Sequence, residues 1–393
     1  MIGAALALLL AAAPEAGNLC TLCHPDVRVE FERSIHHSES VTCTSCHGGD
    51  PSASSVDAAH RGGFRGRIAR KDVPEACAVC HADTSMMRPY NLPTDQLALY
   101  LTSGHGRALA RGDGNAAVCT DCHGVHAILP PENAESSVHV LEIPRTCARC
   151  HSDAELMRPY GFTEDPFAEF TQGIHGRALL EEGNQAAPEC SRCHSAHGAA
   201  PTGVGDIDKV CGQCHASARA YFLEGPHKAA MVAAGLPECA SCHGHHRIRT
   251  VDVSMIDALC ADCHAKDSAE VELGLKMKTL YEAAAADIDE AREIVDRAAA
   301  IPLYTEDYEA RLNEARTSLI ESVPAMHSLN LEHVQDLTRR ARAIGNEVES
   351  EAGGKLEGRK WRRVGLMVFW FYLLVTVGIL ARFRRKAARE IAP

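Results

Sequence analysis

Residues 77–126 read CAVCHADTSMMRPYNLPTDQLALYLTSGHGRALARGDGNAAVCTDCHGVH, and residues 147–197 read CARCHSDAELMRPYGFTEDPFAEFTQGIHGRALLEEGNQAAPECSRCHSAH. Each copy opens on Cys-x-x-Cys-His, passes through Met-Arg-Pro-Tyr and His-Gly-Arg-Ala-Leu, and closes on a second Cys-x-x-Cys-His. A shortened third copy spans residues 211–246. The repeated unit therefore contains two such motifs, and stacking of such units predicts an extended array.

All 18 cysteines belong to motifs of this kind, and every pair is followed at once by histidine. Two thiols three residues apart lie on one side of a helical turn and can reach both vinyl groups of one porphyrin, and the next residue offers an imidazole to the iron. The pattern predicts c-type haem attachment, with nine covalent haem c cofactors. The rival interpretations, zinc ribbons or a disulfide framework, do not require histidine after each pair.

The predicted attachment sites each consist of two cysteines and one histidine. They are Cys20, Cys23 and His24; Cys43, Cys46 and His47; Cys77, Cys80 and His81; Cys119, Cys122 and His123; Cys147, Cys150 and His151; Cys190, Cys193 and His194; Cys211, Cys214 and His215; Cys239, Cys242 and His243; and Cys260, Cys263 and His264.

Thirteen further histidines remain for nine distal positions, so six-coordinate irons are expected throughout or nearly so. Several recur in register, between the two motifs of a repeat copy or three residues after a motif histidine. His245 is the alternative to His246, and His37 the alternative to His36. His139 and His327 are further candidates, His333 is expected to be solvated, and no catalytic residue is predicted. The predicted distal ligands are His36, His60, His105, His126, His175, His197, His227 and His246.

The cysteine-bearing segment offers roughly 27 residues for each haem, too few for protein cores of ordinary size. The predicted fold is therefore mainly α with much irregular structure, wrapped around a haem stack and followed by a helical hairpin or bundle and one C-terminal transmembrane helix. The formal net charge of −12 argues against nucleic acid as a partner.

The motif spacing, including Cys-x-x-Cys-His-Gly-x-His, resembles that of the bis-histidine multihaem cytochromes over about residues 19–265. That group includes the octahaem hydroxylamine oxidoreductase and tetrathionate reductase relatives, some with a C-terminal helical bundle and membrane anchor. This chain departs from them in having nine motifs instead of eight. It also lacks the lysine that replaces the motif histidine at the active haem of some pentahaem nitrite reductases. The resemblance implies the class and not a particular reaction.

The periodicity changes after Cys263, where apolar residues recur in steps of four and three from Met277 to Ala298. This seam predicts packed helices. Thr305-Glu306-Asp307 predicts a new helix start, and a further seam opens near Asn330. The predicted division is a signal peptide at 1–17, a nonahaem domain at 18–267, a helical hairpin or bundle at 268–352, a basic linker at 353–363, a transmembrane helix at 364–381 and a basic tail at 382–393.

Residues 364–381 contain no charge and are long enough to span a bilayer. Basic residues flank the span equally, so the positive-inside rule does not orient it. The orientation follows instead from haem attachment, which takes place outside the cytoplasm. The predicted location is the inner membrane, with the haem domain in the periplasm and the C-terminus in the cytoplasm. Residues 2–13 resemble the apolar core of a secretory signal, although the usual basic start is missing.

The expected function is electron transfer along the haem array, between a membrane quinol-oxidising partner and periplasmic or extracellular acceptors. The alternative is a reductase or oxidase of a small nitrogen or sulfur compound, which needs one five-coordinate iron. A third interpretation is a subunit of a respiratory complex, or an oligomer, that docks through the helical segment.

Overall fold

The computed structural model describes residues 18–198, 209–250, 252–301 and 303–390. The predicted signal segment at 1–17 lies outside the described residues. The chain is mainly helical, and the described residues contain no strand. The helical fold class is therefore confirmed at this coarse level, while the wrapping around haem stays a prediction.

The motif-bearing part of the chain is built from helices of four to nine residues joined by turns. Those up to residue 198 are α1 (Cys20–Cys23), α2 (Pro25–Phe31), α3 (Ile35–Ser38), α4 (Cys43–His47), α5 (Val56–Ala59), α6 (Val73–His81), α7 (Thr84–Met87), α8 (Gln96–Thr102), α9 (Gly104–Ala110), α10 (Cys119–His123), α11 (Ile143–His151), α12 (Ala154–Met157), α13 (Pro166–Gln172), α14 (Ile174–Leu180) and α15 (Cys190–His194). Those that follow are α16 (Cys211–Cys214), α17 (Ala216–Glu224), α18 (Pro226–Ala234), α19 (Ala240–His243) and α20 (Ile256–Leu259). Short 3₁₀ turns cover Arg70–Asp72, Arg88–Tyr90, Arg158–Tyr160, Val253–Met255, Cys260–Asp262 and Met326–Ser328.

Three long helices follow the last motif: α21 (Ala269–Ala299), α22 (Glu306–Ala325) and α23 (Leu331–Glu390). Each contacts the other two, so the segment is a three-helix bundle. The new helix begins where the sequence predicts it, directly after Thr305. The predicted seams face inward, with a core that includes Ala284, Ile288, Ala291, Val295, Leu312, Ala315, Leu319, Ala341 and Val348.

Ion pairs also connect the helices across the surface of the bundle. Arg311 on α22 contacts Glu347 at 2.8 Å and Glu351 at 3.2 Å on α23. Arg342 on α23 contacts Asp287 on α21 at 2.7 Å. Exposed pairs of this kind contribute little stability. The buried apolar seams therefore account for most of the packing energy.

Helix α23 continues from the bundle through the predicted linker and the apolar segment without a break. Gly353 and Gly354, predicted to lie in a linker, are inside the helix. A glycine costs a helix only about 1 kcal/mol, and the helix-forming residues around this pair, among them Ala352, Lys355 and Leu356, outweigh that cost. An apolar window of mean hydropathy 2.3, none of it buried, makes α23 the one described helix able to cross a membrane.

The chain divides into two compact units. One extends to Val210 and includes Cys239–Thr250, and the other contains Cys211–Glu238 and everything from Val251 onward. Two of the nine motifs, those ending at His215 and His264, therefore belong to the same unit as the helical bundle. In that unit a Cβ on Gly274 of α21 would lie 3.1 Å from the thiol sulfur of Cys260, so the helix passes close to the last motif.

Candidate metal centres

Seven of the nine motif histidines face a second histidine from elsewhere in the chain. In every case the second histidine is one of those predicted to be a distal ligand. The ring centroids are separated by 6.4 Å for His24 and His60, 6.3 Å for His47 and His126, 6.0 Å for His81 and His36, 6.1 Å for His123 and His197, 6.0 Å for His151 and His105, 6.0 Å for His194 and His246, and 6.1 Å for His264 and His227.

This separation fits two imidazoles that coordinate one metal ion from opposite sides. A metal–imidazole bond of about 2.0–2.1 Å, plus about 1.1 Å from nitrogen to ring centre, places the two centroids about 6.3 Å apart. The planes of the paired rings meet at angles from 7° to 58°. Rotation about a metal–nitrogen bond leaves that angle free, so the distance is the constrained quantity. The centroid distances of ordinary aromatic pairs range over about 4.5–7 Å, which is wider than the range of the seven histidine pairs.

The pairs follow a regular order along the sequence. His36, His105 and His227, each near the start of a short helix, face the third, fifth and ninth motif histidines. The histidines that lie three residues after the fourth, sixth and eighth motifs face the histidines of the second, fourth and sixth motifs, respectively. These are His126, His197 and His246. Each repeat copy therefore offers a histidine to a motif in another copy.

The repeated His-Gly-Arg-Ala-Leu segment determines the position of the histidine with which it begins. In the first copy the hydroxyl of Ser103 accepts a hydrogen bond from the Gly106 N–H at 3.0 Å and caps α9. A Cβ on Gly106 would lie 2.0 Å from the carbonyl oxygen of Tyr100, and one on Gly176 would lie 1.9 Å from that of Phe170. Only glycine permits so close a contact between consecutive helices. The glycine thus holds the helix that presents the preceding histidine.

The pair formed by His47 and His126 shows how the rings are oriented. The Nδ1 atom of His47 is 2.8 Å from the carbonyl oxygen of Gly66, and Nδ1 of His126 is 3.5 Å from a carboxylate oxygen of Glu30. A metal-binding histidine commonly donates its other ring N–H to a carbonyl or carboxylate, which fixes its tautomer. In both rings, coordination would therefore use Nε2.

Burial keeps many of the paired rings neutral, which is the protonation state that binds metal. Desolvation is the main cause of the lowered pKa at each of these sites, and a neighbouring histidine adds to it at several. The pKa is lowered for His36, His81, His105, His123, His151, His194, His197, His227 and His246.

Thiols of successive motifs lie next to one another. The Cys77 thiol hydrogen-bonds with that of Cys119, and the Cys147 thiol with that of Cys190. Through these contacts the pKa of Cys77 is raised and that of Cys119 is lowered. The thiols of Cys20 and Cys43 are also hydrogen-bonded, and electrostatic interaction links Cys46 to Cys80 and Cys122 to Cys147. The first six motifs therefore form an unbroken spatial series in sequence order.

The second cysteine of each motif is more open to solvent than a structural thiol would be. It is exposed in five motifs and half-buried in the other four, with Cys150 an example of the first group and Cys242 of the second. Cys150 lies near the end of α11, and Cys242 lies in α19, where its N–H donates to the carbonyl of Cys239 at 3.2 Å. Both side chains are accessible to a reactant. Attachment at Cys150 and Cys242, as at the other motif cysteines, stays a prediction.

The eighteen cysteines form neither disulfides nor compact clusters with the motif histidines in the described part of the chain. None of the eighteen cysteines, all of which are described, forms a disulfide. Among the described residues no motif gathers its two thiols and histidine into a metal-sized cluster. The described residues contain one group of side chains close enough to hold a metal ion, formed by Glu169, His245 and His246, whose ligand atoms lie within 4.8 Å of one another. His246 also faces His194, whereas His245 does not share that pairing.

Two motif histidines, His215 and His243, and one predicted distal ligand, His175, are not among the seven pairs; each has contacts of its own. His327, a weaker candidate from the sequence, lies in the 3₁₀ turn Met326–Ser328, which contacts α17. Comparison of the chain with protein-family models, with curated proteins and with solved structures finds no match.

Proposed function

We propose that this chain is a multihaem c-type cytochrome that carries nine covalently attached haem groups and transfers electrons along them. The observation that carries the proposal is the set of seven motif histidines that face predicted distal histidines at 6.0–6.4 Å. That spacing supports bis-histidine ligation, and the adjacent cysteine pairs support covalent attachment through two thioethers.

Electron transfer along the array is favoured because the first six motifs are spatial neighbours in sequence order. When bound, haem supplies a one-electron redox step, and the protein controls its potential through ligands and burial. The thiols of Cys77 and Cys119, and those of Cys147 and Cys190, are in hydrogen-bond contact. Groups attached at such thiols would lie close together. A series of this kind suits a conduit, in which each site passes an electron to the next.

A reductase or oxidase, the rival function, requires an iron without a distal ligand. The seven histidine pairs place a ring on each side of seven of the nine candidate sites, which disfavours an open iron at any of those seven. No cluster of catalytic acids or bases is needed for the conduit, because it makes and breaks no bonds. We therefore place catalysis second.

The location we propose is the inner membrane, with the motif-bearing segment in the periplasm and the C-terminus in the cytoplasm. The long apolar segment of α23 supports a single membrane span. Haem attachment outside the cytoplasm supports the orientation, and residues 1–17 would act as the export signal.

The length of α23 limits which electron donor can reach the motif sites. From Leu331, which packs beside Met277 near the motif-bearing end of the bundle, to Val364, where the apolar segment begins, the helix rises about 50 Å. Electron tunnelling falls exponentially with distance and does not cross such a gap in one step. A quinol in the bilayer therefore cannot directly reduce the motif sites at that end of the bundle. For these sites we propose a redox protein, such as a quinol-oxidising complex that rises from the membrane, as the electron donor.

Protein-film voltammetry of the full-length protein in detergent tests the proposal. The film should exchange electrons reversibly over a broad range of low potentials, because bis-histidine sites lack the methionine that raises the potential. Addition of nitrite, hydroxylamine or tetrathionate should leave the current unchanged. A sustained catalytic current with any of them would establish the enzyme instead, and a film without haem signals would end the proposal altogether.

A further inference from the structure

His245 and His246 lie in a turn directly after the eighth motif. Two contacts hold this turn against the start of α14. The carbonyl of Ile248 accepts a hydrogen bond from the N–H of Ile174 at 2.9 Å. A Cβ on Gly173 would lie 2.9 Å from the carbonyl oxygen of His246. The backbone that carries the two histidines is therefore fixed on both sides of their rings.

The hydrogen bonds at the His245 ring determine where its proton lies. Its Nδ1 accepts the backbone N–H of His246 at 2.9 Å, so this nitrogen presents a lone pair and the ring carries its proton on Nε2. Nδ1 of His246 lies 3.3 Å from the same nitrogen. Because Nδ1 of His245 has no proton to donate, the N–H in this contact belongs to His246. His246 is then left with an unprotonated Nε2, the form that coordinates metal through Nε2.

This tautomer suits the pairing of His246 with His194, whose ring centroid is 6.0 Å away. The same orientation is found at His47, where Nδ1 faces the carbonyl of Gly66 at 2.8 Å. A ligand that donates its Nδ1–H to an acceptor becomes more basic. A more basic ligand stabilises ferric iron over ferrous iron and lowers the reduction potential.

Glu169 adds a negative charge beside the two rings. A carboxylate oxygen of Glu169 lies within 4.8 Å of a ring nitrogen of His245 and of His246. Negative charge also favours ferric over ferrous iron, so it acts in the same direction as the hydrogen bond. Since Nδ1 of His246 carries a proton, these three side chains form the surroundings of a haem ligand and do not form a second metal site.

The position directly before the distal histidine differs among the repeat copies. It is Val125 in the first copy, Ala196 in the second and His245 in the third, and all three side chains are exposed. The turns have the same form, with a positive φ at the preceding residue in each: 85° at Gly124, 66° at Ser195 and 79° at Gly244. Valine and alanine side chains accept no hydrogen bond. Among these three copies, only the third therefore has a side-chain acceptor at this position.

We propose that His245 is a positioning residue that accepts a hydrogen bond from Nδ1 of His246 and thereby lowers the reduction potential of the iron between His194 and His246. The proposal rests on the proposed haem binding. It assigns the potential of one site to a residue other than its two axial ligands. An iron of lowered potential within a series is an uphill step for the electron, so His245 would influence passage along the array.

The test is a spectroelectrochemical titration of the full-length, haem-loaded protein and its His245 variants. His245→Ala removes the acceptor, so one of the nine haems should move to a higher potential. His245→Asn should keep the titration of the parent protein, because the side-chain oxygen of asparagine stands about where Nδ1 of histidine does. All irons should stay low-spin in both variants, since His246 remains a ligand.

Val125→Ala is the matched control at the equivalent exposed position of the first copy, and it should leave every potential unchanged. His245→Leu keeps the bulk of the side chain without an acceptor, and it should act as His245→Ala does, which covers the case in which alanine prevents folding.

An unchanged titration for the alanine and leucine variants of His245, or an equal shift for the asparagine variant, would refute the proposal. A high-spin iron in His245→Ala would make His245 an axial ligand instead. If the parent protein binds no haem, the proposed function fails, and that outcome is distinct.

Discussion

The imidazole rings of His123 and His197 lie 6.1 Å apart with their planes inclined by only 7°. His123 closes the motif at the end of the first repeat copy, and His197 follows the motif at the end of the second. The relation therefore joins the ends of two copies that are distant in sequence. A ligand from one copy at the metal site of another would hold the copies in a stack, and haem incorporation and folding would depend on each other.

The neighbouring histidines His245 and His246 provide a matched pair of variants. Because His246 faces His194 at 6.0 Å, His246→Ala should expose one iron, and one high-spin haem should appear together with about one site for carbon monoxide. His245→Ala should leave the spin states unchanged. Magnetic circular dichroism and carbon monoxide titration measure both effects. The opposite result would make His245 the ligand.

The sequence alone predicts the eight distal candidates, and seven of them lie in the observed pairs. It does not predict which motif each one faces. The reason is physical, because partners such as His47 and His126 are brought together by packing of whole repeat copies, and local spacing carries no record of that packing. His327 lies in the bundle and has no equivalent position in the repeats, so the sequence offers it only as a further candidate.

The helical seams are more accessible to sequence reasoning. Alternating steps of four and three place Ala291 and Val295 on one face of α21, and both are fully buried. The sequence does not predict the continuation of α23 through Gly353 and Gly354, because a glycine pair usually indicates a linker. The strong helix formers on either side of the pair outweigh the cost of the two glycines, so the helix continues.

The haem content should be nine per chain. Nine complete motifs account for all eighteen cysteines, so each attachment site has both of its thiols. Intact mass together with a pyridine haemochrome assay measures the count. Replacement of Cys190 and Cys193 by alanine should lower it to eight. Seven or fewer haems on correctly matured parent protein would contradict the prediction.

The bundle core should be sensitive to a cavity at Leu312, which is completely buried. Leu312→Ala should destabilise the bundle by about 2–5 kcal/mol, since the lost apolar contacts leave a cavity. Ile320, which is exposed on the same helix, provides the control, and Ile320→Ala should have little effect. Thermal unfolding followed by far-ultraviolet circular dichroism reports the difference. Equal unfolding midpoints for the two variants would show that the bundle is not packed as described.

The orientation of the membrane span can be measured with reporters fused after Pro393. A reporter that works only in the cytoplasm should be active there, and one that works only in the periplasm should be silent. The prediction depends on haem attachment outside the cytoplasm, because the basic residues on the two sides of the span are balanced. Periplasmic activity of the fusion would reverse the orientation.

The spin state of the irons in the oxidised full-length protein distinguishes an electron conduit from an enzyme. Quantitative electron paramagnetic resonance should find low-spin iron at all nine sites, because thirteen histidines beyond the motifs are present and seven already face motif partners. No high-spin haem is expected, and the addition of nitrite or hydroxylamine should leave the spectrum unchanged. One full equivalent of high-spin haem that binds either compound would contradict the conduit and establish a catalytic site.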